Sequence, residues 1–167
     1  MLHLVSRTAQ FLSSLTESVS ALLLGAIVVI NLLQVLFRYV IGAPLGWTEE
    51  VMRYSVVWLT FLASVAALHR GEHMVIDVLG TALPRRLRRL VYLLVLLCIA
   101  AFCWILVAEG FPLALRNAAQ FSPSARIPMI LPYGSVAVGG VLLLIQIACL
   151  LVLIATGRAE PPQASGT

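Results

Sequence analysis

Four stretches of this sequence are apolar enough and long enough to cross a bilayer, and nearly every formal charge falls at their ends. They run roughly Ser18 to Phe37, Glu49 to Arg70, Leu90 to Glu109 and Ile130 to Ala155. In the second, no formal charge appears from Ser55 to Leu68. Twenty-two helical residues rise about 33 Å, enough to span a hydrocarbon core. Backbone inside that core must bond to itself, so four such runs dictate four helices. Composition agrees: 61% of the 167 residues are hydrophobic and 11% are charged. The expected fold is an all-α integral membrane protein. It has four transmembrane helices and a short interfacial helix between the second and the third.

The connections give the order. Met1 to Ser20 mixes polar and apolar residues at helical spacing, as in an interfacial lead-in to the first span. That span carries a small-x-x-x-small pair, Ala21 and Gly25, able to admit a neighbouring helix. It also carries Asn31 and Gln34, whose amides suit interhelical hydrogen bonds. Gly42, Pro44 and Gly46 then break the chain into a turn too short to be a domain. Thr48 is placed to cap the second helix, with Glu49 and Glu50 in its first turn, where the dipole favours anions. Arg53, four residues after Glu49 and three after Glu50, shares their helix face. Ala63 and Ala67 form a second small-residue stripe. Thr60 and Ser64 are spaced to return their hydroxyls to the backbone or to bond a neighbour. Gly71 stops this helix.

Between Gly71 and Leu83, Val75, Val78, Leu79, Ala82 and Leu83 recur at helical spacing, which predicts the surface helix. Pro84 opens the third span, and Gly110 and Pro112 are expected to kink or end it. Leu113 to Pro128 is then a polar connection. Residues 1–157 form one membrane domain, and 158–167 a disordered cytoplasmic tail.

All eleven basic residues are Arg. With alternate sides assigned, Arg7, Arg70, Arg85, Arg86, Arg88, Arg89 and Arg158 share one side. Arg38, Arg53, Arg116 and Arg126 share the other. Seven against four makes the first side cytoplasmic, with both termini inside. Four cations at the start of the third helix oppose its dipole, so Arg85, Arg86, Arg88 and Arg89 call for anionic lipid headgroups. The net charge of +4 therefore follows membrane topology and does not point to nucleic acid.

Chemistry is sparse. Cys98, Cys103 and Cys149 lie in apolar runs without a C-x-x-C and read as small buried hydrophobes. His3, His69 and His73 are at edges or in loops, so no buried His pair offers haem ligation. Glu17, Glu49, Glu50 and Glu109 lie near helix ends, and none is a deep carboxylate for proton coupling. Nucleotide motifs are absent. No catalytic, metal or cofactor site is expected. The alternative class is the haem or quinone membrane anchor of a respiratory oxidoreductase.

From Phe37 the sequence reads F-R-Y-V-x-G-x-P-L-x-W-x-E-E-x-x-R, then V-W-x-x-F-L, then H-R-G-E-H-M-x-x-D as far as Asp77. With the later SPSARIP stretch, Ser122 to Pro128, it resembles the small membrane subunit (DctQ-type) of tripartite ATP-independent periplasmic (TRAP) transporters. The resemblance implies a bacterial inner-membrane complex. In it a periplasmic solute-binding protein captures an organic acid, and a large permease subunit moves it by an elevator-like mechanism coupled to sodium. The small subunit packs on the large one and extends its fixed scaffold. Signature positions carried over are Arg38, Gly42, Pro44, Trp47, Glu49, Glu50, Arg53, Trp58, Gly71, His73 and Asp77, read as a partner or lipid interface. The substrate and sodium sites belong to the large subunit.

The arginine asymmetry makes a direct prediction. In intact cells a membrane-impermeant thiol reagent should label Gly46→Cys and spare Thr81→Cys. The reverse pattern would overturn the orientation.

Overall fold

The computed structural model describes residues 2–70 and 84–156, with the side chains of residues 2–4, 85, 86, 88, 89 and 155 excepted. Its four helices are α1 (Leu2–Leu36), α2 (Gly46–Arg70), α3 (Arg85–Arg116) and α4 (Ile130–Ala155). All four are long and apolar enough to cross a membrane. Among the described residues there is no strand, only an isolated antiparallel bridge between Phe121 and Pro128. The expected surface helix falls in 71–83 and the expected tail in 158–167; both lie outside the described residues.

The amphipathic lead-in and the first span are one unbroken helix of 35 residues. At 1.5 Å per residue it is about 52 Å long, well beyond a ~30 Å hydrocarbon core, so it tilts or projects. Its last turn widens into a π-helical segment, Phe37–Ile41. Gly42 then ends it in the left-handed region, at φ 73°, a conformation glycine adopts without a Cβ penalty. The N–H groups of Gly42 and Ala43 both return to the Phe37 carbonyl, five and six residues back, a wide stop that matches the π-helical turn it closes.

α4 is the hub and packs on each of the other three helices. Leu143, Ile147, Leu150 and Ile154 recur along it at spacings of four and three, a coiled-coil-like seam. Against that seam lie Val65 and Leu68 of α2 and Leu96 and Cys103 of α3, all buried. Halfway along α4, two adjacent glycines admit a neighbour on each side. A Cβ on Gly139 would fall inside the Phe61 side chain of α2. One on Gly140 would lie 2.9 Å from Val107 Cγ2 and 3.2 Å from the Cys103 carbonyl oxygen of α3.

Three expectations are corrected. α3 runs seven residues past Glu109, to Arg116, with Pro112 inside it. Gly110 is a packing position and not a break: a Cβ there would touch Ala137 and Val136 of α4 at 3.4 Å. Within this chain the close approach of α1 uses Ala9, Ser13, Thr16 and Ser20, all buried. Ala21 and Gly25 face outward, and a Cβ on Gly25 would meet nothing within 4 Å. On α2 the buried face is Val65, Ala66 and Leu68, whereas Ala63 is exposed. Thr60 and Ser64 return their hydroxyls to the carbonyls of Val56 and Thr60.

Large apolar side chains cover the outside. Leu22, Val29 and Leu32 of α1 and Leu94, Leu97, Phe102, Trp104 and Ile105 of α3 are each more than half exposed. A surface of this kind suits lipid or another membrane protein.

The glycine seam is testable. Gly139→Ala should destabilise the detergent-solubilised protein by about 1–3 kcal/mol, the usual cost of overpacking, because the clashing Phe61 atoms lie close to its backbone and cannot swing away. Gly134→Ala, where nothing lies within 4 Å of the new Cβ, should be neutral or gain up to ~1 kcal/mol from helix propensity. Thermal unfolding of both variants reads the difference.

Candidate functional site

The rare polar residues of the signature collect where α1 turns into α2. Arg38 lies in the π-helical segment, exposed, its guanidinium 5.9 Å from the ring centroid of Tyr39. Tyr39 is itself 77% exposed. Pro44 stands exposed in the turn and Trp47 is 43% exposed at the start of α2. These cationic and aromatic groups suit the membrane–water interface.

The expected N-cap is a different device. α2 begins at Gly46, two residues before Thr48. Thr48 is fully buried within the first turn, and its hydroxyl donates to the Leu45 carbonyl at 2.6 Å. That donated bond runs opposite to a cap, in which the hydroxyl oxygen would accept a helix N–H. Leu45 offers the first free carbonyl before the helix, and the Thr48 N–H points to it as well, at 3.3 Å.

The two acids do not pair with Arg53. Glu49 Oε1 accepts a hydrogen bond from Gln34 Nε2 of α1 at 3.2 Å. This is the interhelical role expected of that amide, and it closes the α1–α2 turn. Glu50 reaches a different part of the chain. Its carboxylate accepts the backbone N–H of Ser124, at 3.1 and 3.2 Å, and that of Ala125, at 2.8 Å. Those donors form the tip of a hairpin between α3 and α4. The hairpin is closed by Ser122 N–H to the Ile127 carbonyl, by Met129 N–H to the Gln120 carbonyl, and by Ile127 N–H to Ser122 Oγ. Ser122 is 1% exposed. Arg126 takes a positive φ of 54°, so the tip doubles back tightly enough to present consecutive N–H groups to one anion. An ionised acceptor makes these stronger than neutral hydrogen bonds. Arg53 is exposed, with no ion-pair partner among the described residues.

Trp58, deeper in α2, donates its indole N–H to the Leu131 carbonyl at 3.2 Å, at the start of α4. Glu50 and Trp58 together tie α2 to the entry of α4 at two levels. The remaining signature positions, Gly71, His73 and Asp77, lie outside the described residues, as do the side chains of Arg85, Arg86, Arg88 and Arg89.

Sequence reasoning missed two links at the opposite end. Arg70 of α2 forms an ion pair with Glu17 of α1. Next to it, Gln146 Nε2 of α4 donates to His69 Nδ1 at 2.8 Å, which places the ring proton of a neutral His69 on Nε2. Gln146 is fully buried. A lone amide in an apolar span was the available signal, since such a group must find a partner. Among the described residues, no group of three or more His, Cys, Asp or Glu side chains is placed to hold a metal ion.

A bundle whose polar side chains bind its own helix ends, beneath an apolar exterior, defines a multi-pass membrane subunit. Residues 27–157 match the family of the tripartite ATP-independent periplasmic transporters, DctQ component. The chain belongs to that family and is a TRAP transporter small permease subunit, a multi-pass protein of the inner membrane. It is 26% identical, over 80% of its length and 83% of the relative's, to a TRAP transporter small permease protein of Haemophilus influenzae. It is 24% identical to the C4-dicarboxylate TRAP transporter small permease protein DctQ of Vibrio cholerae, over 93% of this chain and 77% of that one. It is also 33% identical over 56% of its length to the sialic acid TRAP transporter permease protein SiaT of Haemophilus influenzae, but covers 16% of that longer protein. Family membership displaces the oxidoreductase-anchor alternative.

The Glu50 clasp predicts a local effect. Glu50→Gln removes the charge that receives the tip N–H groups. Hydrogen exchange at the Ser124 and Ala125 amides should accelerate severalfold while the helix cores stay protected. Unchanged exchange at the tip would show the carboxylate to be dispensable there.

Proposed function

We propose that this chain serves a sodium-coupled, binding-protein-dependent importer of an organic acid as its non-catalytic scaffold subunit. It packs on the large permease subunit and widens the fixed part of that machine. A periplasmic solute-binding protein delivers the substrate, and phospholipids fill the remaining perimeter. The four arginines at the start of α3 hold anionic headgroups on the cytoplasmic side, with both termini inside. The signature residues Arg38, Trp47 and Arg53 meet the partner or the lipid between the two subunits. Residues 1–157 make up a single four-helix membrane domain.

One observation carries this reading. Gln34, Trp58 and Gln146 serve helix-to-helix contacts of the chain itself, while broad apolar faces of α1 and α3 remain uncovered. Such a molecule offers a surface to pack against. Among its described carboxylates, Glu17, Glu49 and Glu50 are engaged as clasps, and Glu109 is exposed on α3, seven residues before its end. The substrate class is supported by the relatives' names, which include C4-dicarboxylate, sialic acid and isethionate, all organic anions. A large partner is supported by SiaT and by DctMQ of Oleidesulfovibrio alaskensis, longer permease proteins of which this chain matches 16% and 18%.

Arg53 separates assembly from folding. It is an exposed cation two turns into α2, beside a Glu50 already committed to the hairpin. Arg53→Ala should lower both co-purification with the co-expressed large subunit and sodium-driven uptake in reconstituted vesicles, while leaving the thermal stability of the isolated subunit unchanged. Combined with Glu50→Gln, the two losses should add, since the side chains use different partners. Full assembly and uptake by Arg53→Ala would remove the residue from the interface.

A further inference from the structure

A shallow groove of about 400 Å³ runs between the first turns of α1 and the second half of α4, lined by Arg7, Thr8, Phe11, Leu12 and Ile145. Its floor and walls are almost wholly apolar. Phe11 is 69% exposed and Ile145 47%, so both present bare hydrocarbon to whatever occupies the groove. The Thr8 hydroxyl is turned back to the Val5 carbonyl at 2.9 Å and offers the groove little polarity. Among the described residues, Arg7 is the lone charge in the lining. It makes no ion pair among the described residues, and Glu17, the acid on its own helix, is held by Arg70.

The order of these groups matters. Arg7 lies one turn nearer the end of α1 than Phe11, and therefore nearer water. The hydrocarbon walls lie on the membrane side of it. A cation at the aqueous mouth of an apolar groove complements an amphiphile with an anionic head and a hydrocarbon tail, aligned as a leaflet lipid is aligned. A soluble anion would leave the groove walls bare. A neutral lipid would leave the guanidinium without a counter-charge.

We propose that this groove is a binding site for an anionic phospholipid, with its phosphate on Arg7 and one acyl chain laid past Phe11, Leu12 and Ile145. The lipid fills the seam where α1 leans on α4, and so steadies the first turns of a helix longer than the membrane is thick.

The test uses the full-length protein in phosphatidylcholine vesicles doped with phosphatidylglycerol carrying a photoreactive acyl chain, the cross-links being mapped by peptide mass spectrometry. Cross-links are expected near Phe11 and Ile145. A photoreactive phosphatidylcholine should give about fivefold fewer there, the ratio equivalent to ~1 kcal/mol for one charge near the surface. Arg7→Gln should reduce the phosphatidylglycerol signal to the phosphatidylcholine level. Ile145→Trp, which fills the groove, should lower both. Arg116→Gln, at the far end of the bundle, should change neither. Equal labelling by the two probes, or labelling that survives Arg7→Gln, would overturn the proposal. So would groove labelling lost only when Arg85, Arg86, Arg88 and Arg89 are changed to Gln, because the charge holding the lipid would then be elsewhere.

Discussion

Close packing around the middle of α4 is the constraint on which this structure rests. Inside a bilayer there is no hydrophobic drive for helices to associate, because lipid is as apolar as leucine. What holds them is contact density and a few polar bonds. Gly139 and Gly140 remove two Cβ atoms where Phe61 of α2 and the Cys103–Val107 turn of α3 come closest. That approach lets the seam from Leu143 to Ile154 meet leucines and valines of both neighbours at van der Waals distance. α1 carries a buried stripe of small side chains, Ala9, Ser13, Thr16 and Ser20, and packs mainly on α2 and less extensively on α4. Three helices thus share one central helix, and each interface uses small residues where backbones approach.

The polar side chains complete what packing starts, and they do so near the two ends of the bundle. At one end Gln34–Glu49, Glu50–hairpin and Trp58–Leu131 link α1 to α2 and α2 to the start of α4. At the other, Glu17–Arg70 and His69–Gln146 link α2 to α1 and to the second half of α4. In a low-dielectric setting each such bond is costly to leave unmade, so each fixes a register that apolar contacts alone would let slide. The outcome is a stiff block, clamped near both faces of the membrane.

The spans were legible in the sequence because bilayer thickness converts directly into a count of apolar residues. The family was legible because Arg38, Trp47, Glu49, Glu50 and Arg53 occur in order at fixed spacing. The partners of those residues were not. The local rule for helices, three or four residues apart, pointed Arg53 at Glu49 and Glu50. The structure instead joins Glu50 to Ser124 and Ala125, more than seventy positions away. Nothing in a single sequence encodes that distance. The end of α3 was misplaced for a related reason. Gly110 and Pro112 look like breakers locally, but Gly110 is where α4 comes close, and tertiary contact overrides the local preference. Thr48 fits the type of an N-cap and is instead a buried side chain bonded backward to Leu45.

The neighbouring acids illustrate how one helix turn divides its work. Glu49 and Glu50 are adjacent, so on a helix they point about 100° apart and cannot serve the same neighbour. One faces α1 and the other the α3–α4 hairpin. With both carboxylates engaged by neutral donors, their negative charge is not cancelled by a nearby cation. The Arg53 side chain, one turn on, therefore stays available to the exterior. Had Arg53 closed on Glu50, the hairpin N–H groups would have lost their anion and the surface would have lost its cation together. The backbone clasp thus has a consequence beyond the loop it holds: it leaves the Arg53 guanidinium, with no ion-pair partner among the described residues, on the outside of α2. There only a headgroup, water or a partner's acid can meet it, and the face that carries it is set by the register of α2 against α4.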